Sequence, residues 1–297
     1  MISKVAAERP FSLSALPRAA VFLLLLPGIF SAGQTPVAVP SDNGLIQRAL
    51  SNELKAAQDT THPMEFQLRK STPRLTSVKE IVETRDGAVA RLLTINDAVP
   101  RPADRQKDEA RLDALLADPN RQRKRKQSEQ DDTGRVLKLL RALPKAFIYR
   151  YDGPVSGDSD PLQRYTFSPN PKFNPSDLEL LVLTEMCGEL TIDPVHERIV
   201  RLEGHLQQDI DFGWGLIGRL YKGGWMVIDQ ADIGLGQWRI VHFQMAMNGR
   251  VLFKTRSFDT TEDQSHFEPV PVGLTYQEAV QKLRSDQNGT DTMGKLK

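Results

Sequence analysis

The sequence predicts an α+β fold: one large, largely antiparallel sheet with a helix near each end and a helical insertion. Three observations lead there. From Gly188 to Asp259, apolar and polar residues alternate with period two through successive runs, the pattern of half-buried antiparallel strands. Apolar residues at helical spacing occur at both ends: Ile46, Ala49, Leu50, Leu54 and Ala57, then Ala279, Val280 and Leu283. Between them, Arg101 to Leu143 is dense in charge and carries an intermittent apolar stripe at helical spacing.

The first residues have the three-part pattern of an export signal. Lys4, Arg9 and Arg18 form a basic leader, and Ala19 to Ile29 is an apolar run. Ser31-Ala32-Gly33 offers small residues for cleavage after Gly33. The run falls short of the roughly 20 residues a membrane span needs. Residues 1–33 are therefore expected to be removed, and the product to reach the periplasm or be secreted. The formal net charge of +1 includes three basic residues and one acidic residue of that leader, which leaves the remainder near −1. Such a balance argues against a nucleic-acid partner, which calls for a strongly basic face. Cys187 is the only cysteine. No internal disulfide is available, and its apolar neighbours Leu181 to Met186 predict a buried, inert thiol.

Residues 34–284 read as a single domain, with an insertion at 101–143 and a polar tail at 285–297 expected to be disordered. After the linker Gln34 to Pro40, Ser41 or Asp42 caps the first helix, and His62-Pro63 ends it. Strands follow at Met64–Lys70, Leu75–Thr84 and Ala88–Asn96. Asp86-Gly87 suits a two-residue hairpin turn, since Gly supplies positive φ.

Pro102 suits the first turn of a helix carrying Leu112, Leu115 and Leu116, and Asp118-Pro119-Asn120 interrupts it. The run Arg121 to Lys126 has a composition suited to peripheral contact with anionic headgroups. Glu129, Asp131 and Asp132 balance it, so a solvated helix is expected. Val136, Leu137, Leu139, Leu140 and Leu143 restore the stripe, and Pro144 is expected to end it. By its position this pair of helices would form a lid.

Strands resume at Ala146–Tyr151 and Leu162–Ser168, then a proline-rich crossing and a short helix at Asp177–Leu183. Gly188–Asp193 and Arg198–Gln207 form a hairpin, with Val200, Leu202, Gly204 and Leu206 on one face. The glycine- and aromatic-rich stretch from Asp211 to Trp225 lacks the spacing of a phosphate loop and reads as a kink that lets the sheet curl. Trp225–Gln230, Trp238–Met247 and Val251–Phe258 complete the strands. Thr275-Tyr276-Gln277-Glu278 is a capping box that opens the last helix.

No catalytic motif emerges. His62, His196, His205, His242 and His266 lack the close partners of a zinc site, so neither metal nor cofactor is expected. His242 is the histidine placed to face an interior. Asp193, Asp209, Asp211, Asp229 and Asp232 stand near strand ends, where aspartates are common turn residues. The chain therefore reads as a non-catalytic protein.

The run Gly188-Glu189-Leu190-Thr191-Ile192-Asp193-Pro194, with Glu197 to Gly204 after it and Tyr165 to Pro171 before it, resembles the strand hairpin of the LolA-like periplasmic lipoprotein-carrier group. The resemblance covers mainly Tyr149 to Asp259. It implies a half-open barrel closed by helices that holds acyl chains. Together with export and the aromatic strands, it leads to an expected carrier or binding protein for a hydrophobic ligand: a lipid, or the acyl chain of a lipoprotein. The residues expected to line its pocket are Leu202, Leu206, Trp214, Trp225, Trp238, Phe243, Met245 and Phe253. The alternatives are an envelope sensor or interaction module using the 101–143 helices, and a hydrolase pairing a strand-end aspartate with His242.

Overall fold

A computed structural model describes residues 43–294, apart from 158–159, 176, 213–217, 235 and 252–253. The expected signal and linker lie outside the described residues. α1 (Asn43–Ala56) leads into a meander of β1 (Met64–Ser71), β2 (Thr76–Val82) and β3 (Val89–Ile95). α2 (Pro102–Ala117) and α3 (Pro119–Ala146) follow, then β4 (Phe147–Val155) and β5 (Leu162–Pro169). A 3-10 helix, Leu178–Thr184, precedes β6 (Met186–Asp193) and β7 (Arg198–Leu206). The small strands β8 (Ile210–Phe212) and β9 (Gly218–Leu220) come next. β10 (Trp225–Asp232), β11 (Trp238–Val251), β12 (Lys254–Pro269) and α4 (Tyr276–Gly294) complete the chain.

All twelve strands join one antiparallel sheet, ordered β3-β2-β1-β12-β11-β10-β7-β6-β5-β4, with β9 added beside β11 and β8 beside β9. The sequence reads the first three strands as a small meander and names no partner for it. In the structure β12 runs on to Pro269 and pairs with β1 from Met64↔Pro269 to Ser71↔Thr261, which makes the meander one wing of the main sheet. The path is not closed, because β3 and β4 stand at opposite ends of it.

The sheet curls. Side chains from β1 across to β4 line one cavity. In a flat sheet, with strands about 4.8 Å apart, they would be spread over roughly 34 Å. Register shifts recur in five strand pairings, and bulges of this kind raise the local twist. The curl was expected to come from the glycine-rich stretch after Asp211. Its described ends are β8 and β9, a short hairpin in which Arg219 Nη2 donates to Asp211 at 2.6 Å. Residues 213–217 lie outside the described residues.

Two bulges also reset which side chains face inward. In the β6–β7 ladder Thr191 pairs with Arg201 but Ile192 with Ile199, so Val200 is the extra residue and Ile199 takes the inward place. In the β10–β11 ladder Asp229 pairs with His242 but Gln230 with Ile240, so Val241 is extra. Ile240 and Phe243 thus share the inner face, and His242 is turned to the outer one. The expectation that His242 faces an interior fails for this reason.

α2 and α3 seal one edge of the sheet. β3 is terminal, and a bare edge exposes unpaired ladder groups. Here helical side chains take the place of a neighbouring strand. Asp108 accepts from Leu92 N–H at 3.0 Å, Arg111 donates to the Ala90 carbonyl, and Glu129 accepts from Ala88 N–H at 3.1 Å. Arg125 Nη2 donates to the Ala88 carbonyl at 2.8 Å.

The basic run is therefore not simply a solvated face. Its inner residues Gln122, Arg125 and Lys126 grip the β2–β3 turn, with Gln122 bonded to the Asp86 and Gly87 carbonyls and Lys126 to the Arg85 carbonyl. Arg121, Arg123 and Lys124 remain exposed. Helical spacing puts buried and exposed cations side by side in the sequence, so composition alone does not separate them.

That turn differs from a two-residue loop at Asp86-Gly87. Gly87 N–H donates to the Thr84 carbonyl at 3.2 Å, which centres the turn on Arg85-Asp86, and Gly87 follows at φ +95. A Cβ there would meet Glu129 Oε2 at 3.1 Å and Lys126 Cα at 3.2 Å. Gly87→Ala is expected to lose about 1–3 kcal/mol through the left-handed backbone alone, with more from the clash. A lowered urea midpoint at unchanged slope would register it.

Asp118 caps both insertion helices: its N–H closes α2 on the Ala114 carbonyl, and its side chain accepts from Asn120 N–H to open α3. Pro144 does not end α3. It sits inside the last turn, where it removes one donor, and Phe147 N–H closes the helix on the Leu143 carbonyl. α4 likewise runs to Gly294, beyond the expected boundary at Ser285. The buried stripe Ala279, Val280 and Leu283 anchors it, and extending a formed helix is far easier than starting one.

Candidate functional site: an apolar cavity beneath α3

α3 joins the two ends of the sheet path. It starts beside β3, at one end, and runs directly into β4, at the other. At 1.5 Å per residue its 28 residues extend about 42 Å. Its C-terminal half presents Val136, Leu139, Leu140 and Leu143, spaced i, i+3, i+4 and i+7, so that all four share one face. With α1 and the 3-10 helix, this face encloses a cavity of about 300 Å³ against the concave side of the sheet.

The floor is aromatic and aliphatic: Phe66, Phe167, Met186, Leu202, Met226, Ile228, Ile240, Phe243 and Phe267. Polar groups gather where α1 meets β7 and β11: Glu53, Arg198 and Arg239, with Trp238 among them. Glu53 takes Arg198 through two hydrogen bonds, 2.9 and 3.0 Å, and also accepts from Ile199 N–H at 3.1 Å. Arg198 lies over the Trp238 ring, 5.5 Å from its centroid. A cation over an indole face is held by the ring quadrupole, so ion pair and stack together fix both side chains.

The residues expected to line a pocket divide. Leu202, Trp238 and Phe243 line this cavity. Leu206 is buried in the core outside the lining, and Met245 packs against that core beside Met226. Trp225 is a correction. Its neighbours Met226 and Ile228 face the cavity, so strand alternation puts Trp225 on the outer face, in register with His205 and Ala246. Trp214 and Phe253 lie outside the described residues.

Sequence reasoning missed the contributions of α1 and of Glu53 and Arg198. The apolar spacing of α3 was visible, but nothing in it names the surface it covers.

Titratable groups elsewhere are engaged in local structure. His242 Nδ1 lies 2.6 Å from Asp263 across a strand pair on the outer face. Arg201 holds Asp229, Arg219 holds Asp211, and Asp193 caps the β6–β7 turn with His196. Cys187 is buried, with Sγ 3.0 Å from His205 Nε2, and burial pushes its thiol pKa up. Among the described residues no group of three or more His, Cys, Asp or Glu is gathered for a metal. No described helix is long and apolar enough to cross a membrane.

No protein-family profile matches the chain, and no curated protein matches it. Among solved structures, it is similar to a domain assigned to an outer membrane lipoprotein-sorting protein of Vibrio parahaemolyticus. Identity there is 9% and the TM-score 0.29, over 77% of this chain and 93% of that one. It is also similar to MucB in its complex with MucA(peri), at 10% identity and a TM-score of 0.20, over 77% of this chain and 99% of that one. Similarity this low leaves the function to be read from the cavity itself.

Proposed function

We propose that the chain is an exported, non-catalytic binding or carrier protein that holds the acyl chain of a lipid or lipoprotein beneath α3. The observation that carries this reading is the cavity: about 300 Å³, floored by aromatic and aliphatic side chains and lidded by the apolar stripe of α3. That volume stands at the lower edge of the usual range for small-molecule sites, roughly 300–1,000 Å³. Each buried methylene would contribute about 0.8 kcal/mol, so affinity would grow with chain length until the cavity fills. The leader at residues 1–33 supports export. His242 is turned away from the cavity, which favours binding over hydrolysis there.

The test is native mass spectrometry of protein purified without detergent, followed by titration with a fluorescent fatty acid. Bound lipid, or saturable binding that alters the emission of Trp238 and is silent in Trp238→Phe, is the expected result. A bare mass together with no saturable binding would overturn the reading.

A further inference from the structure

Beside the apolar cavity lies a second, polar one of about 460 Å³, lined by Asn52, Lys55, Asp59, Thr61, Gln237 and their neighbours. Ala56, Arg198, Trp238 and Arg239 belong to both walls, so the two spaces adjoin at one mouth. We infer that the ligand is an amphiphile with an anionic oxygen head, its tail under α3 and its head in this vestibule. The inference rests on the binding reading above and adds the class of headgroup.

Every carboxylate at the mouth is already occupied. Glu53 is taken by Arg198 and Ile199 N–H, and Glu83 accepts from Met64 N–H at 3.0 Å. Asp59 accepts from the Thr61 N–H and hydroxyl and lies against His62. Burial works to raise the Asp59 carboxyl, but the Thr61 and His62 bonds outweigh it and hold it at about 2.

The cations are less completely matched. Lys55 is exposed, and among the described residues its ammonium reaches only the Asn52 side-chain oxygen, at 3.4 Å. Arg239 spends one nitrogen on the His62 carbonyl at 2.6 Å and stands 3.5 Å from Glu83 through another, too long for a strong pair. An ammonium offers three donors and a guanidinium five. The vestibule therefore has donors to spare beside acceptors that are spoken for. A carboxylate or phosphate on the acyl chain fits that surplus, a hydroxyl uses little of it, and an ammonium, itself only a donor, finds no free carboxylate there.

Four ligands sharing one tail test it: dodecanoate, dodecyl phosphate, dodecanol and dodecylammonium, titrated calorimetrically into the full chain below their micellar concentrations. Dodecanoate, dodecyl phosphate or both should bind at least about tenfold tighter than dodecanol, the scale of one charge-assisted hydrogen bond. Dodecylammonium should bind weakest. Tighter dodecanoate alone identifies a fatty-acid head, and tighter dodecyl phosphate alone a phospholipid-type head. Lys55→Gln combined with Arg239→Gln should bring the anion-to-alcohol ratio towards one. Lys55→Gln alone, at an exposed site, should lower it partway with the urea midpoint unchanged. Equal affinities across the series, or tightest binding of dodecanol, would overturn the anionic head and leave the acyl cavity standing. Binding of none of the four would overturn both.

Discussion

Gly188→Ala should be severely destabilising. Gly188 in β6 stands opposite Gly204 in β7, and the strands approach so closely that a Cβ on Gly188 would lie 1.9 Å from the Glu203 carbonyl oxygen and 3.0 Å from Gly204 Cα. Both obstacles are backbone within a ladder, so relief requires separating β6 from β7 near the centre of the main core. The expected loss is about 4 kcal/mol or more, a size reserved for such disruptions, against a total stability of roughly 5–15 kcal/mol. Soluble yield and the cooperativity of urea unfolding would report it. Gly204→Ala is the control. Its Cβ would meet the Met186 side chain, Sδ at 3.0 Å, and a thioether can swing aside, so a loss of about 1 kcal/mol is expected. Equal losses in the two variants would show that the close approach at Gly188 is not the cause.

Glu53→Ala should lose about 3–5 kcal/mol, the usual result of removing one member of a buried ion pair. The carboxylate and its partner Arg198 are 9% and 12% exposed. The same carboxylate also satisfies Ile199 N–H beside the bulge in β7. Truncation leaves a guanidinium and a backbone donor without their acceptor, and removes the buried tie between α1 and the strand that forms the cavity wall. Removing both charges, as Glu53→Ala with Arg198→Met, should recover part of the loss because no orphan cation remains. Urea midpoints for the two single variants and the double close the cycle. A Glu53→Ala protein as stable as the parent would show that the pair does not anchor α1.

Much of the sheet is legible in the sequence because strand periodicity is local. Gly188–Asp193, Arg198–Gln207, Trp225–Gln230 and Trp238–Met247 all correspond to strands of the structure. What alternation cannot convey is partnership. Nothing in Met64–Ser71 names Thr261–Pro269 as its neighbour, so the sequence shows the first meander but not the seam that joins it to the main sheet.

The cavity was only partly legible, for a related reason. A bulge adds one residue and inverts every side chain beyond it. Val200 and Val241 therefore move Ile199 inward and His242 outward. Trp225 illustrates the bias of composition: a large aromatic draws the eye to a pocket, whereas its strand neighbours Met226 and Ile228 occupy the lining. The insertion's basic run hides its division of labour because a charge buried against carbonyls and one in water are spelled the same way. Only the hydrogen bonds to residues 85–88 tell them apart.

The seam between β1 and β12 also sets a timetable. β1 leaves the ribosome roughly 200 residues ahead of the partner that covers its inner edge. At about 5–20 residues per second, that is a wait of roughly 10–40 seconds. Throughout it Met64, Phe66 and Leu68, buried in the finished protein, have no β12 beside them. Contacts so distant along the chain form late and slowly. The nascent protein thus spends its early life with an unmatched, aggregation-prone wing. The β1–β12 ladder joins residues near the start of the described chain to residues near its end, so closing it must wait for nearly the whole protein.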